Sequence, residues 1–174
     1  MKFDNLTQAL RRYRELIIQE SKQELNRLGK KNTGGLYDKI KPGKVIVRPN
    51  SLEFSIRMPY YAAFVDKGVS GTITKYNTPY KYTDKKPPAK ALIDWVSKKR
   101  FQFQDKKGRF LSYESTGYAV REGIYKYGIK PSLFFTKPFQ KYFNRQVPQE
   151  ITDAFGLDIS NFISFMIKQN FQTK

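Results

Sequence analysis

The sequence predicts an α+β protein: a long N-terminal helix packed on a small antiparallel β-sheet, with further helices, an extended loop or arm, and a C-terminal helix. Three observations lead there. Apolar residues recur at helical spacing over 4–28, the pattern switches to alternation over 44–57, and helical spacing returns from 113 onward. A chain of 174 residues hides about 70% of its unfolded surface when it folds as one compact domain, so neither disulfide nor metal is needed.

In the first helix, Leu6, Leu10, Tyr13, Ile17, Leu25 and Leu28 form the apolar stripe, with Asp4 as N-cap and Gly29 as the stop. Arg11, Arg12, Arg14 and Lys22 occupy the other side and read as a solvated face, with a DNA channel as the sharper alternative. After a flexible stretch at 29–35, a hairpin follows, with Pro49-Asn50-Ser51 at its turn and Leu52, Phe54 and Ile56 facing a core on the helix. A short helix is expected next. Pro59 enters it, Tyr60, Tyr61, Phe64 and Val65 supply its apolar side, and Asp66 stands beside a left-handed stop at Gly68.

Residues 69–88 carry Gly71, Pro79, Pro87 and Pro88 among tyrosines and lysines with no hydrophobic period, and read as an arm suited to a protein interface. A helix from Pro88 puts Ala91, Leu92, Trp95 and Val96 on one side and Lys98-Lys99-Arg100 at its end. A second hairpin at 101–111 has a basic tip, where Lys106, Lys107 and Arg109 are the candidates for touching DNA. The helix at 113–127 gathers Ala119, Val120, Ile124 and Tyr127, with Gly117 and Gly123 admitting a close backbone and Gly128 ending it. Helix is expected again at 137–147. A last amphipathic helix then starts at Asp158 as N-cap, its stripe being Ile159, Phe162, Ile163, Met166, Ile167 and Phe171.

Charge and missing residue types bound the chemistry. With 33 Lys and Arg against 15 Asp and Glu, the net charge of +18 favours a polyanionic partner, although lysine also keeps an aromatic-rich subunit soluble. Cysteine and histidine are both absent, so there is no thiolate zinc site, no cysteine nucleophile and no Ser-His pair. Glu20-Ser21-Lys22 has the Glu-x-Lys spacing of metal-dependent nucleases, but it lies within the first helix rather than on a strand beside a second acid. Neither Gly34-Gly35 nor the 68–71 segment reaches the Gly-Lys-Ser/Thr of a phosphate loop. The chain therefore reads as no enzyme and as having no cofactor. Without an apolar signal core or a run of about 20 apolar residues, it also reads as soluble, with no membrane partner and synthesis in a cytoplasm.

Two segments carry a resemblance. Tyr61-Ala62-Ala63-Phe64-Val65-Asp66-Lys67-Gly68 and Gly128-Ile129-Lys130-Pro131-Ser132-Leu133-Phe134-Phe135, in this order behind a long first helix, resemble the phage neck and tail-completion proteins. The first matches an aromatic-Ala-x-x-Val followed by acid, variable residue and Gly. The second matches a helix ending in Gly-Ile before a proline and an aromatic. The resemblance covers most of 4–143; its motifs are short and mostly structural. It implies a neck-like domain over 1–147, with the arm and second hairpin as additions and 148–174 as a helical extension. It further implies a structural virion protein in the head-to-tail connector, forming a homo-oligomeric ring around the DNA channel. Its partners would be itself, the portal or adjacent neck and tail proteins, and packaged DNA. Tyr60, Tyr61, Phe64, Asp66, Gly68, Gly128, Ile129, Pro131, Phe134 and Phe135 are then the assembly residues. The alternative is a nonspecific nucleic-acid-binding phage protein that does not stay with the virion.

Overall fold

The computed structural model describes residues 3–30, 34–48, 51–143 and 148–172, with side chains of the last helix followed to Lys168. The elements are α1 (Asp4–Arg27), α2 (Gly35–Lys39), β1 (Lys41–Arg48), β2 (Ser51–Arg57), α3 (Ala62–Lys67), α4 (Ala89–Lys98), α5 (Tyr113–Tyr127), α6 (Thr136–Phe143) and α7 (Gln149–Gln172). The fold is α+β. It divides into two compact units, Met1–Ala62 with Leu133–Lys174, and Ala63–Ser132.

In the first unit, Leu6, Ala9 and Leu10 of α1 form a core with Ile151 and Ala154 of α7, and Phe3, Tyr13, Val45, Val47, Phe54 and Phe143 pack around it. The expected hairpin on the first helix is therefore present, as β1 paired antiparallel with β2. Its register shifts between Pro42 and Val45. Gly43 sits at that bulge because a Cβ there would lie 2.2 Å from Ser55 Oγ and 2.7 Å from Ser55 O. Phe54 faces inward as expected, but Leu52 is exposed, because it pairs with Val47 next to the open turn end of the hairpin. Ser51 pairs with Arg48, while Pro49 and Asn50 of the expected turn lie outside the described residues.

The cap of α1 differs from expectation. Asp4 is the first helical residue, and Phe3 precedes it with no capping side chain. The carboxylate of Asp158 takes that role, accepting from the backbone N–H groups of Asn5 at 3.1 Å and Leu6 at 2.9 Å and from the Asn5 amide at 2.8 Å. These are the donors a local N-cap would satisfy, and the anion also complements the helix dipole. Asp158 is thus a buried residue inside α7, not the start of it. The stretch read as an extension from 148 contributes Ile151, Ala154 and Asp158 to the first unit. At its other end α1 closes as expected at Gly29, whose φ is +62°, with Gly29 N–H on Asn26 O and Lys30 N–H on Leu25 O. α6 ends at Phe143, and residues 144–147 of the expected helix lie outside the described residues. Phe135, Phe139 and Phe143 form an i, i+4 ladder with centroids 5.9 and 5.5 Å apart.

The second unit pairs α4 with α5. The buried side of α4 is Leu92, Ile93 and Val96, shifted from the expected stripe, so Ala91 and Trp95 face outward. The reason is Gly117 of α5: a Cβ there would meet Ile93 Cγ1 at 2.5 Å, so the two backbones approach through Ile93. Gly123 has nothing within 4 Å of such a Cβ and admits no close backbone. On α5, Thr116 and Gly117 are buried, whereas Ala119 and Tyr127 are exposed. Ser112 caps this helix by accepting from Ser115 N–H at 3.1 Å. The expected hairpin at 101–111 turns back on itself, but its pairing is a single bridge between Gln104 and Phe110.

Candidate functional site

The two segments that carry the resemblance, some sixty residues apart, meet in the second unit. Val69 and Ile129 exchange backbone hydrogen bonds of 2.9 and 2.8 Å. Ser132 N–H donates to Asp66 O at 3.0 Å, and its hydroxyl donates to Val65 O at 2.6 Å. Gly68, with φ +72°, ends α3 in the left-handed conformation, and a Cβ on it would lie 2.4 Å from Ile129 O and 2.7 Å from Pro131 Cδ. Gly128, with φ +73°, is equally constrained, 2.2 Å from Val69 O by the same measure. Both glycines are therefore required twice, once by backbone conformation and once by space. Asp66 is buried beside them.

The loop at 69–88 is irregular, as its sequence implies, but it is not a free arm. Thr72 N–H donates to Tyr125 O at 2.9 Å and Ile73 N–H to Lys126 O at 2.8 Å, satisfying carbonyls that the last turn of α5 leaves open. Ser70 exchanges bonds with Tyr80 and Tyr82, and its hydroxyl accepts from Tyr76 N–H at 3.0 Å. Farther on, Arg121 Nε donates to Pro87 O at 2.8 Å, Lys86 pairs with Glu122 at 2.7 Å, and Tyr125 OH donates to Thr83 O. Phe64 meets Tyr80 edge-on, with centroids 4.6 Å apart. These closures join main-chain groups to one another and to polar side chains, so no hydrophobic pattern announced them.

The remaining expected site residues separate. Tyr61 is half-buried with its ring 5.9 Å from that of Tyr60, and Tyr60 is 85% exposed, so it lies outside any apolar packing side. Pro59 stands before α3 and its carbonyl accepts from Ala62 N–H at 2.9 Å. Phe134 is fully buried and Phe135 partly so. At the basic tip, Lys106 and Lys107 are exposed, whereas Arg109 is engaged: its Nε donates to Asp105 at 2.8 Å. The N–H groups of Arg109 and Lys107 also bond that carboxylate. Those bonds, led by the Arg109 backbone donor, hold Asp105 below the usual carboxylate range.

In the first unit, Glu20 accepts from Lys141 at 2.6 Å and from Tyr142 OH, while Lys22 lies 5.1 Å over the Tyr37 ring. Burial acts to raise the Glu20 pKa, but the bonds from Lys141 and Tyr142 prevail and hold it lowered. Glu20 lines an open groove of about 430 Å³ with Glu24, Arg27, Lys137 and Lys141. A second groove of about 550 Å³ runs past Gln8, Arg12, Glu150, Asp153 and Leu157, with Arg12 paired to Glu150 at 2.8 Å. Arg14, expected on a solvated face, instead donates to Gly43 O at 2.6 Å and pairs with Glu15 at 2.7 Å. Among the described residues, no three His, Cys, Asp or Glu side chains converge as metal ligands, and no helix is long and apolar enough to cross a membrane.

The apolar residues expected along the last helix at Phe162, Ile163, Met166 and Ile167 are present, and they face solvent. Leu157, Phe162, Ile163, Phe165, Met166 and Ile167 of α7 are all exposed, and residues 159–167 carry no charge. Compared with protein-family models, with curated proteins and with solved structures, the chain has no significant match.

Proposed function

We propose that this protein is a structural virion subunit, one copy in a ring of the phage neck that joins portal or head to tail and surrounds the DNA channel. The observation that carries the reading is the exposed apolar segment of α7 from Leu157 to Ile167. Isolated exposed apolar residues are ordinary, but six on one helix segment mark an interaction surface. Copies of a chain with net charge +18 repel one another, and the uncharged 159–167 segment is where that repulsion is weakest. A closed ring needs a heterologous interface, in which this segment meets a different patch on the next copy. The locked junction of Gly68 with Ile129 and Pro131 supports the same reading, as a rigid body suits an architectural part.

Quantitative mass spectrometry of gradient-purified particles of the phage that encodes this chain tests it. The expected result is a copy number that, set against the portal, corresponds to a whole ring. Absence from the particles overturns the proposal and favours the nucleic-acid-binding alternative.

A further inference from the structure

Exposed rings and cations coincide at one place in the second unit. Trp95, Phe101 and Phe103 are 37%, 40% and 40% exposed, and their rings run in series, with centroids 6.5 and 5.0 Å apart. Lys98 and Lys99 follow Trp95 by three and four residues, which sets them on the same helix surface. Lys106 and Lys107 are exposed at the hairpin tip that continues from Phe103. Between 95 and 110 there are six cations and a single carboxylate, Asp105, which Arg109 already pairs.

We propose that this face binds single-stranded nucleic acid, stacking unpaired bases on Trp95, Phe101 and Phe103 while the flanking lysines and Arg100 follow the phosphates. The proposal is independent of the ring reading, since it concerns what the free protein recognises. Series of exposed rings bordered by cations suit unpaired strands because every base offers a π-face and every nucleotide a charge. The same six cations disfavour a second copy of this chain as the occupant.

Arg100 adds an independent observation. The end of α4 closes through Arg100 N–H on Ser97 O and Phe101 N–H on Val96 O, and Arg100 occupies the left-handed position at φ +51° where glycine is usual. A residue with a Cβ is strained there, so the fold carries a cation where a better backbone former exists. Strain retained at a surface point of this kind marks a functional demand on the side chain. Arg100 also turns the chain directly from the Lys98-Lys99 pair to the Phe101-Phe103 rings.

The test titrates the full-length protein with short oligothymidylate, an abasic strand of equal length and a duplex of equal length. Trp95 is the sole tryptophan, so its fluorescence reports the site directly. The expected result is quenching of Trp95 by oligothymidylate, with affinity at least about five-fold above both the abasic strand and the duplex. Arg100→Gly should fold at least as well as the parent, yet bind more weakly and lower the logarithmic salt slope by about 0.7, one phosphate contact. Phe103→Ala should lose affinity and Phe110→Ala should not: Phe110 is 68% exposed but pairs with Gln104, on the other side of the pleat from Phe103. Absence of quenching, equal binding of the abasic strand or duplex, or equal losses in Phe103→Ala and Phe110→Ala would each overturn the proposal. So would equally tight binding of poly-glutamate without quenching, which assigns the face to an acidic protein.

Discussion

In Met1–Ala62 with Leu133–Lys174, the groups removed from water are chiefly aliphatic and aromatic side chains; in Ala63–Ser132 they are largely amides and carbonyls gathered around glycines. Of thirteen buried hydrophobic residues among those described, eleven lie in the first unit, and the second has Val69 and Val96. What it has instead is a set of closures such as Val69 with Ile129, Ser70 with Tyr80, and Thr72 with Tyr125. The difference teaches that the two units fail in opposite ways. One is damaged by removing methyl groups and the other by adding them.

The largest expected effect is in the first unit. Phe134→Ala, at a fully buried ring, should cost about 3 to 5 kcal/mol in urea denaturation. Little change would remove Phe134 from the core and weaken the contrast. For the second unit, Gly68→Ala combines a left-handed φ with a Cβ 2.4 Å from Ile129 O, and should cost about 2 to 4 kcal/mol. Gly108→Ala has a similar φ of +78° but nothing within 4 Å, so about 1 kcal/mol is expected. Equal losses for the two glycines would show that backbone conformation, not the crowded junction, governs this unit. Hydrogen exchange read by mass spectrometry would show whether the opening stays within 63–132.

Smaller effects sharpen the picture of the side-chain unit. Asp158→Asn should cost about 1 to 2 kcal/mol, with faster amide exchange at Asn5 and Leu6, because two capped donors lose a charged acceptor. Ser21 is fully buried in α1 and its hydroxyl has no partner among the described residues, so Ser21→Ala should be neutral or raise stability by up to about 1 kcal/mol. A clear loss would mean that the hydroxyl does bond. The smallest effect is electrostatic. Glu20 has a lowered native pKa, so its contribution is fully present above the ordinary glutamate value of about 4.3 and is lost as pH falls through the native value. Because Lys141 is largely exposed, solvent screens the pair, and Glu20→Gln should be slightly less stable than the parent at pH 7, with the gap closing as pH falls through the native Glu20 value.

How far this was legible in the sequence follows the same division. Side-chain periodicity announced α1, the hairpin, α5 and the glycine stops at 29, 68 and 128, because those features are written in residue type at short range. The stripe of α4 was read one position off because Ile93 is selected by Gly117, a partner more than twenty residues away. The closure of 69–88 left no hydrophobic pattern, since many of its bonds come from amides that every residue except proline owns and the others from scattered polar side chains. Of the candidate site, the glycines and Ile129 were visible as motifs, whereas their meeting was not. Tyr60 was drawn in by its neighbours' apolar character, yet it precedes α3 and stays in water. The aromatic face at Trp95 was not legible because Trp95 shares helical spacing with Leu92 and Val96, which are the inward residues.

The cap on α1 also sets an order of events. Asn5 and Leu6 precede Asp158 by 153 and 152 residues. During synthesis at about 5 to 20 residues per second, the first helix therefore waits roughly 8 to 30 seconds for the carboxylate that finishes it and for Ile151 and Ala154 that cover it. The intervening Ala63–Ser132 unit has its last residue 26 positions before Asp158, about 1 to 5 seconds earlier. Nascent chains should consequently acquire protease resistance over 63–132 first, leaving the amphipathic α1 as a substrate for chaperones until Asp158 has been made.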